Sequence, residues 1–152
     1  MKFEKFIKRA GINAVIVTDP DGDKWIYNDG VAMLIPPVVA NNYGDAAYKI
    51  PADIFDAIDD IDYDCLENTA ELVRAEIPAD GKAKEITRIY TDGNFEFAIR
   101  NTDWSLIERS DHAFIAVDEA DKPAALAIYH GEKISGVIFP IGFSMTDLDE
   151  IN

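Results

Sequence analysis

The stretch KPAALAIYHGEKISGVIFPIGF, residues 122–143, does most to limit what this chain can fold into. Two apolar runs flank the short polar break HGEK, which is the pattern of two strands about a tight turn. The same grammar recurs upstream. EITRIYT and NFEFAIR flank Asp92-Gly93, and Phe95, Phe97 and Ile99 alternate with Glu96, Ala98 and Arg100. Period-two alternation gives such a strand one buried and one wet face. ELVRAEI ends at Pro78, Asp80 and Gly81, and HAFIAV precedes the final pair, so the pattern from residue 70 onward is largely β.

The front of the chain reads differently. In KFEKFIKRA, Phe3, Phe6, Ile7 and Ala10 fall at helical spacing, and Gly11 ends the run. Lys2, Lys5 and Arg9 share the opposite face, with Lys8 on its flank. NAVIVT and KWIYN follow as strands around DPDGD, where Asp21-Gly22 predicts a type I′ hairpin turn. A second turn at Asn28-Asp29-Gly30 leads into VAMLI, which Pro36-Pro37 stops. Pro51 then opens a second helix with Ile54, Phe55, Ile58 and Ile61 as its buried stripe. Asp53, Asp56, Asp59, Asp60 and Asp62 stay in water or line the edges of that segment. The expectation is an α+β fold, mainly antiparallel β-sheet with two amphipathic helices. Residues 1–143 are expected to form one such domain, and residues 144–152 a frayed acidic tail.

Composition enters chiefly as exclusion. At 48% hydrophobic the chain is too apolar to be disordered, and 152 residues suffice for a core without staples. Cys65 is the single cysteine, so it forms no internal disulfide and no cysteine zinc site by itself. No secretory leader pattern and no membrane-length apolar run is evident, and the expected location is cytoplasmic. The net charge of −15 repels nucleic acid and anionic membranes at long range and favours a basic protein partner.

No motif carries chemistry. DPDGD lacks the calcium-loop frame, because counting from Asp19 puts Lys24 at position six and Gly30 at position twelve. Ser110, Asp111 and His112 are neighbours in sequence, whereas a triad must converge through the fold. Gly131 and Gly136 have phosphate-loop spacing, but Val137 and Ile138 stand where Lys and Ser/Thr are needed. Cys65 has no adjacent base to activate it. No cofactor and no metal site is expected, and an enzyme with dispersed residues remains a third reading.

The order of elements from Phe3 to Ile61, with the second helix entered through YKIPADIFDAI, precedes a β-meander that closes with Pro123, a turn and GVIFPI. This resembles a single repeat of the DNA sliding-clamp fold, in which a helix and antiparallel strands alternate in two halves. The bacterial clamp family similarly places a Pro before a strand and ends on an apolar-Met/Phe-Pro-Ile-like run, here Val137, Ile138, Phe139, Pro140 and Ile141. The resemblance implies a non-enzymatic interaction module linked to DNA replication or a mobile element. It also implies DNA-facing roles for Lys2, Lys5, Lys8 and Arg9. Because clamps join by strand addition, Val137, Ile138, Phe139 and Ile141 would form an edge strand for self-association; a core strand is the other reading of that run. This chain departs from clamps in having room for one repeat and in carrying aspartates on its second helix.

The alternative is an acidic nucleic-acid mimic. Residues 45–76 hold ten acids and two bases, a net −8, whereas residues 2–10 hold four bases and one acid, a net +3. Asp53, Asp56, Asp59, Asp60, Asp62 and Asp64 would then engage a basic groove of a DNA- or RNA-binding protein.

Overall fold

The structure, a computed structural model, describes residues 1–82 and 85–151. Helix α1 (Phe3–Ala10) is followed by β1 (Val15–Thr18), β2 (Lys24–Asn28) and β3 (Val31–Leu34). After a 3₁₀ segment at Pro37–Asn42 come β4 (Tyr48–Lys49) and α2 (Ala52–Asp59). The remainder is β5 (Glu71–Glu76), β6 (Thr87–Thr91), β7 (Glu96–Arg100), the one-turn α3 (Asn101–Trp104), β8 (Asp111–Val117), β9 (Pro123–His130), β10 (Lys133–Ile138) and β11 (Asp149–Glu150). The fold is α+β and mostly antiparallel.

Eight strands form one sheet in the order β11-β4-β1-β2-β3-β10-β9-β8, and β5-β6-β7 form a second. Among the described residues only the short β1–β4 pairing is parallel. Six neighbouring strands of the large sheet read as a palindrome, with β4 and β11 added at one end. The meander β1-β2-β3 meets the meander β10-β9-β8 through the antiparallel β3–β10 ladder, Gly136↔Met33, Val137↔Ala32 and Ile138↔Val31. A helix precedes each meander, α1 the first and α3 the second. The two helices touch on one side of the sheet, where the backbone N–H of Lys2 donates to the Leu106 carbonyl at 2.8 Å.

Strand alternation divides the buried residues between the two faces. On one face Ile26, Val31, Met33, Ile115, Leu126, Ile128 and Ile138 pack with Phe6 of α1 and with Tyr90, Phe97 and Ile99 of the small sheet. On the other, Val17, Trp25, Tyr27, Phe114, Ala125, Ala127 and Val137 pack under Ala57 and Ile58 of α2. Alanines at 116, 125 and 127 let that helix approach the sheet closely. Both faces are therefore covered, and the two amphipathic helices lie on opposite sides. Full burial of Phe6 alone stabilises the α1 contact by roughly 2–3 kcal/mol.

The turns revise one expectation. Asp21-Gly22 is not a type I′ turn. The Gly22 N–H donates to the Asp19 carbonyl, Asp19 N–H donates to the Asp23 carbonyl, and only Gly22 takes positive φ (90°). That is a type I turn closed by a left-handed residue, a form that Pro20 at its second position favours. The Asp19 carboxylate fixes it by accepting the N–H groups of Asp21 and Asp23 at 2.9 and 3.1 Å. The β8–β9 turn repeats this bond for bond. Asp118 accepts from Ala120 and Lys122, its N–H donates to the Lys122 carbonyl, and Asp121 takes the left-handed place at φ 59°. Type I′ geometry occurs instead at Asp29-Gly30, with φ of 47° and 81° between the paired residues Asn28 and Val31.

Two further expectations are corrected. Val137, Ile138 and Phe139 are not an edge: β10 lies between β3 and β9, and the first two are fully buried. Ile141 is half-exposed beyond the strand end. The segment after residue 143 is not frayed through residue 151. Ser144 and Asp147 cap a 3₁₀ turn reciprocally, Leu148 is buried against the α2 side, and Asp149 and Glu150 pair with Lys49 and Tyr48. Asn152 lies outside the described residues.

Candidate interaction surfaces

The basic residues on α1 and at its N-terminal cap divide into two pairs. Arg9 donates to the Asp103 carboxylate at 2.9 Å and to the Thr102 carbonyl, and Lys5 reaches the Ser105 carbonyl at 3.4 Å. Asp103 is 3% exposed and also accepts from Arg100, which in turn holds Asp29 of the β2–β3 turn. This chain of charges ties α1 to α3 and to the first meander. Two arginines on one buried carboxylate balance its desolvation, so Arg9 serves the fold. Lys2 and Lys8 are exposed, and their ammonium groups make no hydrogen bond or ion pair among the described residues.

The six aspartates around α2 all reach solvent. Asp53, Asp56, Asp59, Asp60, Asp62 and Asp64 are exposed, the last three beyond the end of α2. The fold adds acids that the sequence places far away. A hollow of about 360 Å³ is lined by Asp53 and Asp56 of α2 and Asp60 at its C-terminal end, together with Asp118 and Glu119 from the β8–β9 turn. On the other flank, Asp59 shares a smaller hollow with Asp19, Asp21 and Asp23. Burial raises the Asp19 carboxyl above its usual range, although Trp25 Nε1–H and two backbone N–H groups donate to it.

One group of side chains has metal-ligand spacing. Ligand atoms of Glu108, Asp111 and His130 lie within 4.8 Å of one another. The Met1 ammonium already stands 2.8 Å from Asp111 and 3.9 Å from Glu108, with both it and the Asp111 side chain shut off from solvent. Burial pushes the Asp111 carboxyl up, but hydrogen bonds from that ammonium, from the Glu108 N–H and from His130 outweigh it and hold the carboxyl low. A divalent cation would have to displace the ammonium. The sequence neighbours of Asp111 do not join it: His112 is exposed on the opposite side of β8.

A larger hollow, about 710 Å³, is of another kind. It opens where the β3–β10 ladder ends, and it is lined by Met1, Phe3, Met33, Leu34, Pro36, Pro37, Lys133, Ile134 and Ser135. Its wall is overwhelmingly apolar and, among the described residues that line it, none is a carboxylate and Lys133 is the one with a charged side chain. Its size and lining are those of a ligand or peptide groove. Sequence reasoning did not find it, because three segments distant in the chain build it. The Pro36-Pro37 pair was its one local signal, as the reason β3 turns away from β10.

Among the described residues no helix is long and apolar enough to cross a membrane. Comparison with known protein families, with curated proteins and with solved structures finds no match to this chain.

Proposed function

We propose that the chain is a non-enzymatic interaction module with the layout of one sliding-clamp repeat, acting through its surfaces in DNA replication or in a mobile element. The observation that supports this reading is the palindrome β1-β2-β3-β10-β9-β8, with a helix before each meander and the same carboxylate-clamped turn in each. Residue contacts to DNA would fall to Lys2 and Lys8, since Lys5 and Arg9 are engaged within the fold. Two lysines on a chain of net charge −15 give weak phosphate affinity, so retention on DNA would depend on encirclement by several copies. With β10 inside the sheet, copies would join through other strands. The test is light scattering across concentration, with retention compared on circular and linear DNA. Self-assembly with selective retention on circles supports the reading; a lone chain that leaves both DNAs alike overturns it.

A second reading, an acidic mimic of nucleic acid, is favoured by the hollow in which Asp118 and Glu119 join Asp53, Asp56 and Asp60. Carboxylates would stand where a basic protein expects phosphates. Titration with a Lys/Arg-rich DNA-binding domain should weaken steeply as salt rises to physiological strength. Replacing exposed Asp59 and Asp60 by Lys should leave the fold intact and weaken binding about tenfold. Binding that ignores both changes rules the mimic out.

A further inference from the structure

We infer that the groove beside the β3–β10 ladder docks an extended, apolar peptide segment of a partner protein that carries carboxylates at its flanks. The inference rests on reading the chain as an interaction module and names the chemistry of its partner. Three observations carry it. Strand β10 is paired on both sides only from Gly136 to Ile138. Lys133 and Ile134 pair with β9 alone, at Lys133↔His130 and Ile134↔Tyr129, because β10 bulges at Ser135 and its ladder to β3 ends at Gly136↔Met33, shortly before Pro36-Pro37. An inner strand therefore shows a short length of edge at the floor of an apolar groove, which is where an extended segment adds by backbone hydrogen bonds.

The walls specify what kind of segment. Met1, Phe3, Met33, Pro36, Pro37 and Ile134 offer apolar contact on both sides of that edge. Prolines supply no N–H there and are already fixed in shape, so little order is lost on binding. The charge pattern decides the flanks. The hollow against α2 is lined by five carboxylates, whereas this groove has none and carries Lys133, with exposed Lys2 between two of its lining residues. On a chain with 29 acids and 14 bases, an apolar groove whose lining side chains include Lys133 and no carboxylate suits an acidic peptide and disfavours a basic one.

Fluorescent peptides with an alternating Val/Leu core and Glu flanks provide the probe, against matched peptides with Lys flanks and with a Ser core. Anisotropy should show the Glu-flanked peptide binding best, and amide NMR shifts should move at Met33, Ile134 and Ser135. Lys133→Glu changes an exposed side chain, leaves the fold intact and should cost the Glu-flanked peptide about tenfold. Ile134→Glu should abolish binding to every peptide. Lys-flanked or Ser-core peptides binding equally well, shifts that map elsewhere, or flat anisotropy to about 1 mM would each overturn the inference. So would a concentration-dependent dimer that Ile134→Glu dissolves, since a second copy would then be the occupant. None of these results alters the retention test on circular DNA, so failure of the groove and failure of the clamp-like reading are separable.

Discussion

The sulfur of Met1 lies in the space that a side-chain carbon on Gly136 would occupy, and the carbonyl of Ala32 stands 3.1 Å from the same point. Gly136 sits on β10 at the last rung of the ladder to β3, opposite Met33. Its φ is unexceptional, so glycine is needed there for room and not for backbone freedom. The Met1 end cannot simply swing away, because its ammonium is bound to Asp111 and to Ser135 Oγ.

Gly136→Ala should therefore destabilise the protein by about 1–3 kcal/mol, the ordinary cost of overpacking a closed site. Urea unfolding checks this through the midpoint at unchanged slope. A neutral result would mean that Met1 is free to leave the sheet.

Much of this was legible beforehand, and the reason differs from element to element. Alternation and apolar runs fixed β7 through β10, since Phe97 and Ile99 bury while Glu96 stays wet. Local spacing likewise placed Phe6 and Ala10 on the buried stripe of α1. What local pattern could not show was strand order. Val137 and Ile138 are equally apolar at an edge or at a centre, and only the β3–β10 pairing decides between them. The same limit hid the groove, whose wall joins Phe3 to Ile134, and hid Leu148, whose apolar side chain draws an acidic tail into the sheet.

Asp103 should be the costliest carboxylate to remove. It is buried and accepts from Arg9 and Arg100, so Asp103→Ala leaves two cations without their shared partner. About 2–4 kcal/mol should be lost, with α1 loosening first because Arg9 is its tether to α3. Hydrogen exchange at residues 3–10 alongside global unfolding separates the two effects. Equal protection of α1 in both proteins would disprove the tethering role.

The paired turns make a matched experiment. Gly22 and Asp121 hold the same left-handed place, one without a side chain and one with. Gly22→Ala should cost about 1 kcal/mol, and Asp121→Gly should be neutral or stabilise by a few tenths. Asp19→Ala should cost more than Asp118→Ala, because the Asp19 carboxylate also binds Trp25 Nε1–H inside the protein. Thermal unfolding of the four variants gives the order directly; a reversed order would show that the two turns are not equivalent in energy.

Acid should expose the ion pair at Met1. The Asp111 carboxyl is held lower in the fold than its unfolded value of 3.8, so its contribution to stability is complete above that pH. As pH falls below 3.8 toward the folded value, the unfolded chain takes up a proton that the folded chain refuses, and stability drains away. Asp111→Asn should lose stability at neutral pH and show a shallower fall between about pH 4 and pH 2. Asp19 has the opposite sign: its carboxyl is raised by burial, so the stability it lends is present below 3.8 and fades as pH climbs through the folded value. Asp19→Asn should accordingly steepen the acid limb where Asp111→Asn flattens it. Glu108 stands 3.9 Å from the same Met1 ammonium and His130 Nδ1 lies 3.2 Å from Asp111, and His130→Gln controls for the imidazole. Urea unfolding of the wild type and these variants at stepped pH provides the comparison, and parallel acid limbs for wild type and Asp111→Asn would refute the role given to the Met1 pair.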